Sequence, residues 1–233
     1  MRVRAARDDA LLVELDDLAQ AVALHTSLQA HPVTGVGETV PGARTLLVAF
    51  DPWRVSAADL AAELRARASS SDVRPDREHR RGGAGSRLVE VPTVYDGADL
   101  DGVATLLGWS VEEVVRRHAN ASWVVGFVGF APGFAYLTGD DSGLVVPRRS
   151  SPRTRVPAGS VALAGPYTGV YPRESPGGWQ LVGRTDLVTW DVERDPPTPW
   201  APGDRVRFTP ARASVRAGAT HGTDHGGSSG SER

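Results

Sequence analysis

The run Ser122–Leu137, SWVVGFVGFAPGFAYL, decides how the rest of the chain is read. Its apolar pieces are short, and Gly126, Gly129, Pro132 and Gly133 break them before any reaches helical length. Glycine and proline at that density punctuate strands. The same rhythm continues through Leu144–Val146 and Val161–Leu163 and ends near Phe208. Many short strands between turn signals predict a closed or nearly closed β-barrel. Leu88–Tyr95 reads as the strand that begins it. Two helices follow, Leu100–Leu107 and Val111 to about His118, the second opened by Ser110 as N-cap with Glu113 three residues later.

Upstream the pattern differs. Ala10–Glu14 reads as a strand, and Asp16-Asp17 opens a helix that runs to about Ala30 and is ended by His31-Pro32. Val33–Val40 and Thr45–Phe50 read as a hairpin turned at Pro41-Gly42. Ser56 and Asp59 form a capping-box pattern ahead of Leu60 and Leu64. The order β-α-β-β-α predicts a small ferredoxin-like α+β domain over residues 1–70. Residues 71–87 are polar, glycine-rich and without periodicity, which predicts a linker. The barrel domain is expected over 88–210, and the stretch 211–233 reads as a disordered tail.

Composition narrows the chemistry. The 233 residues carry a net charge of −2, with 40% hydrophobic and 23% charged residues, the profile of a globular chain. Without cysteine there is no disulfide, thiolate metal site or cysteine nucleophile. Lysine is absent too, so all 26 basic residues are arginine, which removes Schiff-base chemistry and the Walker-A lysine. Any anion must be held by guanidinium, backbone N–H, hydroxyl or imidazole. The near-neutral balance argues against a dedicated nucleic-acid binder. No apolar run spans a bilayer, and Arg2, Arg4 and Arg7 followed by Asp8 and Asp9 lack the apolar core of a signal peptide, so a cytoplasmic location is expected.

Three segments carry the chemistry. Gly129–Leu137 packs glycine, proline and aromatics into a path that suits a pocket wall or a tight turn. Pro147–Ser160 holds Arg148, Arg149, Arg153 and Arg155 within eight residues, a loop able to clamp carboxylate or phosphate, or simply a solvated basic loop. Thr168–Thr185 mixes Tyr171, Trp179, Glu174 and Arg184 with hydroxyls and a glycine pair, the composition of a binding loop. Glu174 could act as a base or pair with an arginine. His118 could face the arginine loop and move protons, or sit quietly at a helix end. His221 and His225 have metal-like spacing but lie in the tail.

Taken in order, GFAPGFAYL (Gly129–Leu137), VPRRSSPRTRVPAGSVALAG (Val146–Gly165) and TGVYPRESPGGWQLVGRT (Thr168–Thr185) resemble the family that includes the B subunit of 5-oxoprolinase, allophanate hydrolase subunit 1 and the sporulation-kinase inhibitor KipI. The likeness runs from the ALLVEL segment to Asp204–Phe208. It implies an α+β N-terminal domain followed by a cyclophilin-like β-barrel. It also implies partners: a homologous C subunit, of the KipA or allophanate hydrolase subunit 2 type, together with an A subunit. In 5-oxoprolinase the complex binds ATP with Mg and opens the lactam of 5-oxoproline to glutamate. On that reading Arg148, Arg153 and Arg155 hold a carboxylate or phosphate, and Tyr136, Tyr171 and Trp179 form an apolar wall. Arg184 or Glu174 orients the reacting group, and His118 and Glu174 are the catalytic candidates. The alternatives within the resemblance are a carboxyltransferase acting on urea-like amides and a KipI-like inhibitor of a histidine kinase.

Overall fold

The structure, a computed structural model, describes residues 1–69 and 86–212. The expected linker other than Ser86 and Arg87, and the tail beyond Arg212 with its two histidines, lie outside the described residues.

In the first part, β2 (Ala10–Glu14) and β4 (Thr45–Phe50) are the central strands. Leu46, Val48 and Phe50 alternate inward, as a half-buried strand requires. Helix α1 (Leu18–Ala30) starts where the Asp17 carboxylate accepts from the Gln20 amide at 2.9 Å, and it buries Ala21, Leu24 and Leu28 on the sheet. Helix α2 (Ala57–Ser69) is fixed by the Ser56–Asp59 exchange, at 3.1 Å to the Asp59 amide and 2.7 Å back to its carboxylate. Leu60 and Leu64 face the same core. The outer strands are β1 (Arg2–Arg7) and β3 (Val36–Pro41), giving an antiparallel sheet in the order β1-β2-β4-β3.

Strand β1 was not legible, because RVRAAR exposes nearly every side chain and carries no apolar alternation. Its place beside β2 is where a ferredoxin-like sheet holds its last strand. Here that strand comes first in the chain, so the arrangement is a permuted one.

The second part is the barrel. Strand β5 (Leu88–Thr93) leads into α3 (Leu100–Leu107) and α4 (Val111–Asn120), then β6 (Trp123–Val128) and β7 (Ala135–Gly139). Next come β8 (Arg153–Val156), β9 (Ser160–Ala164), β10 (Tyr167–Val170), β11 (Ser175–Gly177), β12 (Gln180–Arg184) and β13 (Arg205–Pro210). Seven of these pair in the order β12-β9-β10-β7-β6-β13-β5. The ends meet just past β5, where Val94 and Arg184 exchange backbone hydrogen bonds of 2.8 and 2.9 Å. The expected barrel therefore closes. Arg87, placed in the linker by sequence, is tied to its base: its amide and guanidinium both donate to Asp204 at 3.0 Å.

Strand β9, SVALA, is buried along its whole length because both of its faces are covered. Val161 and Leu163 point inward to Trp123, Leu137, Val206 and Phe208. Ala162 and Ala164 point outward to Phe134, Tyr171 and Trp179. The two-stranded ribbon of β8 and β11 lies beside that outer cluster. Among the described residues no helix is long and apolar enough to cross a membrane.

Candidate functional site

The outer wall of the barrel gathers the aromatic residues that the sequence nominated. Along β7, Ala135 and Leu137 turn inward, which leaves Tyr136 outside. Tyr136 stacks on Phe127 with ring centroids 4.2 Å apart, and meets Tyr167 at 5.7 Å and Trp179 at 5.5 Å edge to face. Phe134 fills the centre behind them, 5.1 Å from Tyr136 and 5.3 Å from both Tyr171 and Trp179. Edge-to-face contacts of this kind fix ring orientation as well as burying area. In front of these rings opens a cleft of about 380 Å³, bordered by Tyr136, Tyr167, Trp179, Pro147, Pro166 and Arg148.

Arg148 is the cation of this cleft. It is exposed, and among the described residues its side chain has no ion-pair partner. The backbone around it is pinned. Val146 and Gly165 pair at 2.7 and 3.3 Å, Gln180 donates to the Pro147 carbonyl at 3.1 Å, and the Arg149 amide donates to the Gly178 carbonyl at 2.8 Å. Burial raises the pKa of the Tyr136, Tyr167 and Tyr171 hydroxyls, with the Arg148 charge acting the other way on Tyr136 and Tyr171. All three are donors at neutral pH.

The other arginines of the loop are engaged elsewhere. Arg149 reaches Asp99 at 2.6 Å, and Arg153 grips the same carboxylate bidentately at 2.8 and 2.8 Å. The Leu181 amide adds a bond of 2.7 Å. Burial alone would raise the pKa of Asp99, but the Arg153 and Leu181 hydrogen bonds and the two arginine charges outweigh it and hold the carboxyl below its usual range. Arg155 pairs with Glu174 on the exposed ribbon at 2.8 Å, and Arg184 pairs with Asp96 at 2.9 Å. Of the seven residues expected to bind substrate, Arg148, Tyr136 and Trp179 border one cleft. Tyr171 lies buried behind it, and Arg153, Arg155 and Arg184 are matched to carboxylates of the chain itself.

His118 faces away from all of this. It is fully buried inside the barrel, 4.4 Å from the Phe208 ring and 5.2 Å from Trp123. Thr168 donates its only hydroxyl hydrogen to the Ala162 carbonyl at 3.1 Å, so His118 Nε2–H must be the donor in the 2.8 Å contact with Thr168. Its Nδ1 then accepts from the Tyr95 hydroxyl at 2.8 Å. Burial pushes its pKa down to about 3, so the ring stays neutral. The sequence allowed His118 to shuttle protons for the arginine loop. The structure corrects this: both nitrogens are occupied in a sealed core. Glu174, the other catalytic candidate, is committed to Arg155 and does not border the cleft.

The GFAPGF turn has its own geometry. Gly133 has φ +79° and lies so close to Thr189 that a Cβ would strike its carbonyl oxygen. Phe130, with φ 69°, is the one non-glycine residue at positive φ among the described residues and is exposed. Larger grooves of about 660 and 610 Å³ lie near the end of α4. Beside them Arg117 pairs with Asp141 at 2.6 Å, and the Ser122 amide donates to Asp140 at 2.9 Å, while neither groove is bordered by any of the residues the sequence nominated for binding.

A closed barrel joined to a permuted α+β sheet, with an aromatic cleft on the outer wall, defines the class. The family model described as carboxyltransferase domain, subdomain C and D, matches residues 1–200, and the chain belongs to that family. Within it, the chain is 38% identical to the B subunit of 5-oxoprolinase from Bacillus subtilis (strain 168) over 192 residues, 78% of each protein. It is 50% identical to the B subunit of 5-oxoprolinase from Escherichia coli O157:H7 over 133 residues, a match spanning 56% of this chain and 61% of that protein. Among solved structures, TTHA0988 superposes with a TM-score of 0.71 at 35% identity, over 88% of this chain and 40% of that one. The K. lactis urea amidolyase shares the fold, with a TM-score of 0.70 at 23% identity over 90% of this chain and 15% of that one.

Two contributors were missed by sequence reasoning. Asp99 lies 50 and 54 residues from the arginines it binds, and it reads as an ordinary helix-start aspartate. Tyr167 gives no local signal beyond its place in a strand.

Proposed function

We propose that this chain is the B subunit of an ATP-dependent 5-oxoprolinase, a cyclic amide hydrolase that yields glutamate together with its partner subunits. The observation that carries the reading is the 38% identity to the B. subtilis protein over 78% of both chains. The cleft supplies matching chemistry. The ligand is a small ring with one carboxylate and one amide. Arg148 takes the carboxylate through a charge-assisted pair. Trp179 and Tyr136 take the ring faces, and a protonated tyrosine hydroxyl donates to the amide oxygen.

An amide in a ring resists water, and ATP removes that resistance. Its γ-phosphoryl group passes to the lactam oxygen as ADP leaves. Water adds to the activated carbon, the C–N bond breaks, and a second water releases phosphate from the acyl phosphate. This chain's residues bind and orient the amide. No residue of this chain is assigned to Mg-ATP. The proposal gives that role to partner subunits. Two facts support partners: the relatives are named as subunits, and the match covers only 40% of TTHA0988. The partners proposed are the C subunit, of the KipA or allophanate hydrolase subunit 2 type, together with the A subunit. The proposal places the assembly in the cytoplasm, where ATP is available.

The test is reconstitution with the A and C subunits, followed by 5-oxoproline-dependent release of ADP and glutamate. Saturable turnover is expected. A complex that assembles and releases neither product overturns the reading. Turnover seen only with urea and a biotin carboxylase would transfer the chain to the carboxyltransferase alternative.

A further inference from the structure

Asp99 stands at the N-cap of α3, a position whose side chain ordinarily bonds the first helical amides. It makes no such bond. Its carboxylate is buried and turned instead toward the arginine loop and β12. There it receives Arg149 once and Arg153 twice, at 2.6 to 2.8 Å, with the Leu181 amide completing the shell. Four guanidinium groups within eight residues would otherwise repel one another and compete for any anion. Asp99 satisfies two of them and Glu174 satisfies Arg155. One is left, and it is the one that borders the cleft.

We infer that Asp99 is a positioning residue: by drawing Arg149 and Arg153 onto its own carboxylate, it locks the loop so that Arg148 alone faces the cleft as the anchor for a small cyclic monocarboxylate. This inference rests on the functional reading above and adds to it a reason for charge selectivity. A single free guanidinium matches one carboxylate. A cluster of three or four would favour phosphate or a dicarboxylate. The Leu181 bond also ties the lock to β12, the strand that follows Trp179, so anchor and aromatic wall are held in one register.

The experiment uses the reconstituted complex and two ligands, 5-oxoproline and 2-pyrrolidone, which is the same ring without the carboxylate. Equilibrium binding of both is measured for the wild type, Asp99→Asn and Arg153→Lys. The wild type is expected to prefer the acid. Asp99→Asn should lower that preference by roughly tenfold, the size of one charge-assisted hydrogen bond, while 2-pyrrolidone binding shifts by no more than about twofold. Arg153→Lys, which keeps the charge but loses the fork, should fall between. In turnover, KM for 5-oxoproline should rise with kcat held within about threefold. If Asp99→Asn does not fold, Arg149→Gln removes one arm of the lock, leaves the bidentate pair, and is expected to lower the preference by a smaller factor.

A folded Asp99→Asn or Arg149→Gln complex that keeps the full preference for the acid overturns the inference, as does a wild type with no preference. Preference lost in the variants without ATP turnover in the wild type sinks the hydrolase reading and leaves the lock. Turnover with preference intact in the variants does the reverse.

Discussion

Neighbouring residues of β10 serve opposite sides of one wall. Thr168 points into the barrel and holds His118, whereas Tyr167 points out and borders the cleft. Inside, every polar atom of the imidazole has a partner and the ring is sealed from solvent. Outside, a guanidinium stands unmatched among aromatic rings and open to solvent. In sequence both groups have the same standing, as ionisable residues near a glycine-rich fold. Their surroundings separate them: a fully partnered buried group maintains the structure, and an unpartnered exposed cation beside an apolar wall waits for a ligand.

That contrast can be attacked from its strongest side first. Trp123→Ala removes a large ring from the inner core together with its indole bond to the His118 carbonyl. It should cost about 4 kcal/mol, read from the shift of the urea midpoint. A loss below about 2 kcal/mol would mean that the interior is less tightly packed than these contacts imply.

The second attack uses pH. The unfolded chain protonates a histidine near pH 6.5, whereas the folded chain leaves His118 unprotonated down to about pH 3. The unfolded state therefore binds more protons in that window. Stability is fully present above pH 6.5 and drains as pH falls toward 3. Between pH 7 and pH 5 the expected loss is about 2 kcal/mol, and it should be missing from His118→Gln measured in parallel. Equal slopes for the two proteins would place the ring in contact with water.

The outer face gives the converse. Arg148→Ala should leave the urea midpoint within about 0.5 kcal/mol, since no partner is lost, while KM for 5-oxoproline in the reconstituted complex rises roughly tenfold. A variant that unfolds more readily with unchanged KM would turn the assignment of Arg148 upside down. Smallest of all is Arg155→Ala. Its pair with Glu174 is exposed, with side-chain exposures of 76% and 52%, so stability should move by less than about 0.5 kcal/mol. KM should stay within about twofold of the wild type. A large effect there would restore the broader clamp that the sequence suggested.

What the sequence could and could not reveal follows from range. Helix starts at Asp17, Ser56 and Ser110 were legible because each cap acts within three residues. The strand positions of Ala10–Glu14 and Thr45–Phe50 were legible from their apolar character. Strand β1 was not, because an exposed edge carries no pattern to read. The cleft was half legible. Its aromatics and Arg148 stand in dense local motifs, but which arginine remains free depends on Asp99 and Glu174, and no spacing rule connects them. His118 needed the fold outright, since one face of a helix end leads to solvent and another to the centre of a barrel.

The pairing of β5 with β13 bears on how the molecule is made. Strand β5 lies parallel to β13, with Glu90 beside Arg207, and Arg87 reaches Asp204 across 117 residues of chain. Each contact along that strand pair must first overcome the entropy of closing a very long loop. During synthesis the first sheet and its two helices have all their residues long before β13 emerges. Strand β13 can therefore join β5 only after β7, β9, β10 and β12, the strands around the cleft, have all emerged.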